Sequence, residues 1–206
     1  MKKTINLLAL VVAIAMLSGV AKADQLAFIA TLTGAQEVPP SGSPGFGSAL
    51  VTVDTATHIM TVNVAFGGLF STTASGLPSG TTAAHIHCCV PPGANAGVAT
   101  AVPTFPGFPP GVTSGTYVQN FDLTLASTYN PAFIMDQGGT VAGAEAAFIA
   151  GLLSGQTYFN IHTNAFPGGE IRGQLQAVPE PATLLLLTTG LTGAVGAMLR
   201  RRKAHV

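Results

Sequence analysis

Between residues 24 and 178, seven short segments alternate apolar and polar side chains or are rich in β-formers: 26–33, 48–54, 58–66, 82–88, 116–125, 156–163 and 170–176. A period of two sends neighbouring side chains to opposite faces of a strand. Turn clusters such as Pro39-Pro40-Ser41-Gly42 and Phe166-Pro167-Gly168-Gly169 separate these segments. The pattern predicts an all-β domain, an antiparallel sandwich or barrel, with an Ig-like or Greek-key β-sandwich as the expected form. One stretch departs from it. Val141, Ala144, Phe148 and Leu152 recur at helical spacing and predict a single short helix over 141–153. The proline-rich stretch 90–115 reads as a long irregular loop.

The two ends follow other patterns. Lys2 and Lys3 precede an uninterrupted apolar run from Leu7 to Leu17, and Ala21-Lys22-Ala23 offers a small-x-small cleavage site. Residues 1–23 therefore read as a secretory signal, handled by the Sec and signal peptidase machinery, with the mature chain starting at Asp24. At the other end, Ala182 to Leu199 carry no charge and are followed by Arg200, Arg201, Arg202 and Lys203. A helix over that run would extend about 27 Å, near the thickness of a bilayer's hydrocarbon core. It is expected to be transmembrane, with the basic cluster left in the cytoplasm.

Charge changes the picture of the middle. The chain has 8 basic and 8 acidic residues, but between residues 24 and 178 the only base is Arg172, against seven acids. Nucleic acid is excluded as a partner, because no cationic surface exists to displace counterions from phosphates. A phosphoryl-transfer site is disfavoured too, since the middle has neither a lysine nor a Gly-rich loop ending in one. No paired carboxylates and no Gly-x-Ser-x-Gly elbow stand out, so no enzymatic activity is expected.

His85 and His87 lie two apart and would share one face of a strand, with Ala84, Ile86 and Cys88 on the other. Asn160 and His162 repeat the arrangement against Phe159 and Ile161. If the two strands pair in register, His85, His87 and His162 converge, and three neutral imidazoles suit zinc or copper. The competing reading is that they hold loops in place by hydrogen bonds and bind nothing. Cys88 and Cys89 are the only cysteines. They are open to three readings: a vicinal or intermolecular disulfide, inert thiols, or a Cys89 thiolate joining the histidines as a ligand. His58 reads as an exposed turn residue. Arg172 reads as a structural tie to Glu170, which shares its face, or to Asp136 or Glu37.

Two resemblances join these readings. The order Pro179-Glu180-Pro181, apolar helix, then Arg200-Arg201-Arg202 closely resembles the PEP-CTERM sorting signal of Gram-negative bacteria, here over residues 178–206. It implies an inner-membrane precursor, cleavage by an exosortase, and delivery to the cell surface or an exopolysaccharide matrix. The blocks Leu32–Pro40, Ala84-His85-Ile86-His87 and Tyr158–Leu175 resemble the CHRD domain, which would fill residues 24–177. That resemblance implies an extracellular β-sandwich without a settled activity. The expected role is structural or binding, with an exopolysaccharide or a surface protein as partner; a zinc or copper protein with possible redox chemistry is the alternative. The His-x-His spacing is also similar to that of Cu/Zn superoxide dismutase, but the downstream His and Asp cluster of that site is absent.

Overall fold

Every alternating segment becomes a strand in the computed structural model, which describes residues 25–179 and Gly190. The strands are β1 (Gln25–Thr33), β2 (Phe46–Asp54), β3 (Ile59–Gly67), β4 (Thr81–Cys88), β5 (Gly115–Asp122), β6 (Thr157–Thr163), β7 (Ile171–Gln174) and β8 (Gln176–Ala177). All pair antiparallel, in the order β4-β6-β7-β1-β2-β3-β5, with β8 also on β1. The first three strands form a meander, and rows such as Phe28, Val51 and Val62 run in register across it. Inward residues of β1 to β7 join one buried cluster, so the curled sheet closes on its own core. Gln25–Val178 forms a compact unit by itself.

The architecture bears out an antiparallel, sandwich-like β domain and refines how its strands are joined. The sheet is one continuous curled path instead of two separately paired layers, because β1 is bonded on both sides. It meets β2 along nine residue pairs, and β7 and β8 at Thr33, Phe28 and Ile29. Alternation reveals which face of a strand is buried but not which edges meet.

Within residues 25–179 there are also two α-helices, not one: α1 (Pro131–Asp136) and α2 (Val141–Leu153). Asn130 caps α1 by accepting the Ala132 N–H, and Pro131 opens it with the φ that a first turn needs. On α2, Ala144, Phe148 and Leu152 are buried as the spacing predicts. The helix reaches the β2–β3 hairpin through a 2.6 Å contact between Glu145 and His58 Nδ1. The neighbouring carboxylate raises the His58 pKa. His58 is exposed, as expected for a turn residue, but it also ties two elements.

The stretch 90–115 is irregular but not peripheral. Phe105 is fully buried in the core, with Ala99 and Phe108 beside it. The same stretch runs along the free edge of β4: Ala99 N–H bonds Ile86 O, and Phe105 N–H bonds Ala84 O. Proline density marks where a chain leaves the ladder, not whether its aromatics pack.

Among the described residues, no helix is long and apolar enough to cross a membrane. The signal segment 1–23, the apolar run 182–199 apart from Gly190, and the basic cluster Arg200–Arg202 lie outside the described residues. So do Glu180 and Pro181 of the sorting signal.

Candidate metal centre

The pairing of β4 with β6 sets His85 opposite Asn160 and His87 opposite Tyr158, with His162 one step along, opposite Ala83. Ala84 and Ile86, with Phe159 and Ile161, point into the core. The three imidazoles therefore stand together on the other face. Ring centroids are 5.2 Å apart for His85 and His162, 5.9 Å for His85 and His87, and 6.0 Å for His87 and His162. A ring nitrogen from each lies within 4.8 Å of its two counterparts.

The loops over this face set the tautomers. His85 Nε2–H donates to Pro103 O at 2.7 Å, His87 Nδ1–H to Ala96 O at 2.9 Å, and His162 Nδ1–H to Pro167 O at 2.9 Å. A ring nitrogen that donates to a carbonyl leaves its partner with a lone pair. Those partners, His85 Nδ1, His87 Nε2 and His162 Nε2, are buried and have no hydrogen-bond partner. Buried polar atoms are seldom left unsatisfied, and three at one spot need a reason. Burial lowers the His85 and His87 pKa values to about 4 and lowers that of His162 as well. The rings are thus neutral at pH 7, the form that ligates metal. A backbone carbonyl on the far nitrogen is also the usual outer support of a metal-bound histidine.

Around the imidazoles lies a second polar layer. Tyr158 stacks on His87 with centroids 4.7 Å apart, and the Arg172 guanidinium sits 4.3 Å above the same Tyr158 ring. Arg172 also donates to Gln36 O and Asn95 Oδ1. The acid that feels its charge is Glu37, whose carboxyl burial pushes up to about 7 while Arg172 and the Asn160 amide pull it back. Asn160 Nδ2 donates to Glu37 Oε1 at 2.7 Å, leaving Asn160 Oδ1 buried without a partner. A Cβ on Gly169 would collide with this amide and with Glu37, and φ there is +131°, so only glycine fits.

Two expectations need correction. Glu170 is not the partner of Arg172. Its fully buried carboxylate accepts from Ser43 Oγ, the Phe70 N–H and Thr163 Oγ1, fastening the 41–45 and 68–70 loops to β6. Arg172 and Glu170 are two apart but serve separate networks. Glu170→Gln puts a donor among three donors and is expected to cost about 1–3 kcal/mol, read as a lower urea midpoint; an unchanged midpoint would show the three bonds to be dispensable.

Cys89 is not a ligand either. Its sulfur is bonded to Cys88, and both sulfurs pack against Gly151 of α2, where any side chain would collide with them. Of the open readings for this pair, the vicinal disulfide is the one found. The backbone of the Phe166–Gly169 turn is a legible partner for these histidines and supplies Pro167 O, but the carbonyls of Ala96 and Pro103 were missed, because backbone acceptors leave no trace in residue type.

These features define a β domain with a buried three-imidazole cluster. The chain belongs to the CHRD domain family, whose match runs over residues 28–175. The PEP-CTERM protein-sorting motif matches residues 177–203, which marks the chain for exosortase-sorted export. Neither the curated proteins nor the solved structures contain a match.

Proposed function

We propose that this is an exported surface protein whose CHRD domain holds one zinc or copper ion between His85, His87 and His162. One observation carries the reading: three neutral imidazoles, two buried and His162 partly so, are each tied through one nitrogen to a carbonyl, keep the other nitrogen buried and unpartnered, and bring a ring nitrogen apiece within 4.8 Å of one another. If the histidines served only to hold loops, the bond each already makes would suffice. The donors would be His85 Nδ1, His87 Nε2 and His162 Nε2. The bound ion would cross-link β4 to β6 and, if copper, add one-electron chemistry. Catalysis is not part of the proposal. Delivery follows the sorting motif: an inner-membrane precursor, exosortase cleavage near Pro179, then the cell surface or matrix.

The test is the metal content of the exported protein, purified without a histidine tag, beside a His87→Ala variant. About one equivalent of zinc or copper is expected, with affinity lost by 100-fold or more in the variant. A folded wild type that binds neither ion at micromolar concentration would end this reading.

A second reading keeps the role structural or binding, with an exopolysaccharide or surface protein as partner. It is favoured by the sorting motif and by a groove of about 380 Å³ lined by residues 37–41 and 165–169. Loss of surface retention on Phe166→Ser, with metal content unchanged, would move the conclusion to that groove.

A further inference from the structure

We infer that the His85, His87 and His162 site selects monovalent copper over divalent zinc. The inference rests on the metal reading above and adds to it the charge and coordination number of the ion.

Three imidazoles bring no charge, and no carboxylate or thiolate joins their cluster among the described residues. The further unpartnered acceptor on this face, Asn160 Oδ1, is neutral too. Any ion held here therefore keeps its full charge. The charge that reaches the site through the ring stack is a cation: Arg172 lies over Tyr158, and Tyr158 lies over His87. Glu37 beside Arg172 is itself pushed toward its neutral form, so it cancels that cation only in part.

The lone pairs are also shut away from solvent, which leaves no aqueous anion to balance a second positive charge. The desolvation cost of an ion grows with the square of its charge, about fourfold from one unit to two. Zinc further asks for a fourth ligand, usually water when the protein supplies three. Cuprous copper carries one charge and is satisfied by three nitrogen donors. Donor number, donor charge and surroundings all favour the monovalent ion.

The test uses the exported full chain, stripped with a chelator and titrated without oxygen. Cu(I) competes with a chromophoric copper chelator, and Zn(II) with a chromophoric zinc indicator. The expected result is one Cu(I) bound about 100-fold or more tightly than zinc. Asn160→Asp, made together with Glu37→Gln so that an amide still faces a carboxylate there, sets the negative charge at the site and should narrow that ratio by about 10-fold. Arg172→Met should move it the same way, and thermal melting reports whether each variant is folded. Zinc binding as tightly as Cu(I) would overturn the inference while leaving a metal site in place. So would a ratio unmoved in a folded protein carrying both Asn160→Asp and Glu37→Gln. Binding of neither ion would remove the metal reading itself.

Discussion

Truncating Phe105 to alanine is expected to cost about 3–5 kcal/mol, the range for deleting a fully buried aromatic ring. Phe105 has no exposed surface and lies among three rings, with centroids 5.0 Å from Phe121, 5.9 Å from Phe159 and 6.2 Å from Tyr117. The loss would be more than a cavity. Phe105 pins the stretch that carries Pro103 O and Ala96 O, the acceptors that orient His85 and His87. The variant should therefore lose metal affinity as well as stability. Phe108 offers a comparison, since it packs on Phe66 and Tyr117, farther along the loop. Phe108→Leu should lower the melting temperature with metal affinity kept. Equal metal affinity in a folded Phe105→Ala protein would mean that the loop does not set the imidazoles.

Acid is the second large lever. The metal-free protein is expected to lose stability as pH falls from 6.5 toward 4. His85 and His87 titrate near 4 when folded and near 6.5 when unfolded, so in that window the unfolded chain binds more protons. Stability then rises with pH, by about 1.4 kcal/mol for each unit of pKa difference per group. Glu37 works the other way. Its carboxyl titrates at about 7 in the fold against 4.5 outside it, so the folded state takes up a proton first as pH falls. His162 shares the direction of its neighbours. His85 and His87 together outweigh Glu37, leaving a net loss on the order of 3 kcal/mol, in the direction to which His162 adds. Urea midpoints of chelator-treated protein between pH 7 and 4 measure it. A flat profile would mean that the imidazoles are not buried as neutral groups. Because burial has already stripped these rings of protons, bound metal should survive at pH 5, where exposed histidine sites release it.

Much of this was legible in residue order. The parity of His85 and His87 against Ala84 and Ile86, and of His162 against Ile161, followed from alternation alone. So did the helix carrying Phe148 and Leu152. What alternation cannot report is pairing: that β6 lies beside β4, and that β1 carries the sheet round in one path, depends on contacts between distant segments. The short helix α1 was missed, although Asn130-Pro131 is a readable start signal, because its six residues are too few to show a period. Arg172 was read as a tie to Glu170, Asp136 or Glu37, and parity along one strand could not say which of the three acids its charge would reach. Sequence distance says little where three networks meet on one face. The burial of Phe105 escaped for a similar reason: a lone aromatic between prolines looks the same whether it packs or not.

The last strand has a mechanical consequence. β8 is two residues long and lies antiparallel on the early part of β1, with the Val178 N–H bonded to Ala27 O. The first and last residues of the domain thus leave from the same margin of the sheet. A pull on the C-terminal end loads those few bonds one after another, as a zip opens. It does not strain them all at once, as sliding β1 along the nine pairs of β2 would. Tension or trimming at that end should release Gln176 to Val178 and stop short of β6, where His162 stands. The terminal strand is a sacrificial length of chain between the C-terminal end of the domain and the histidine-bearing face.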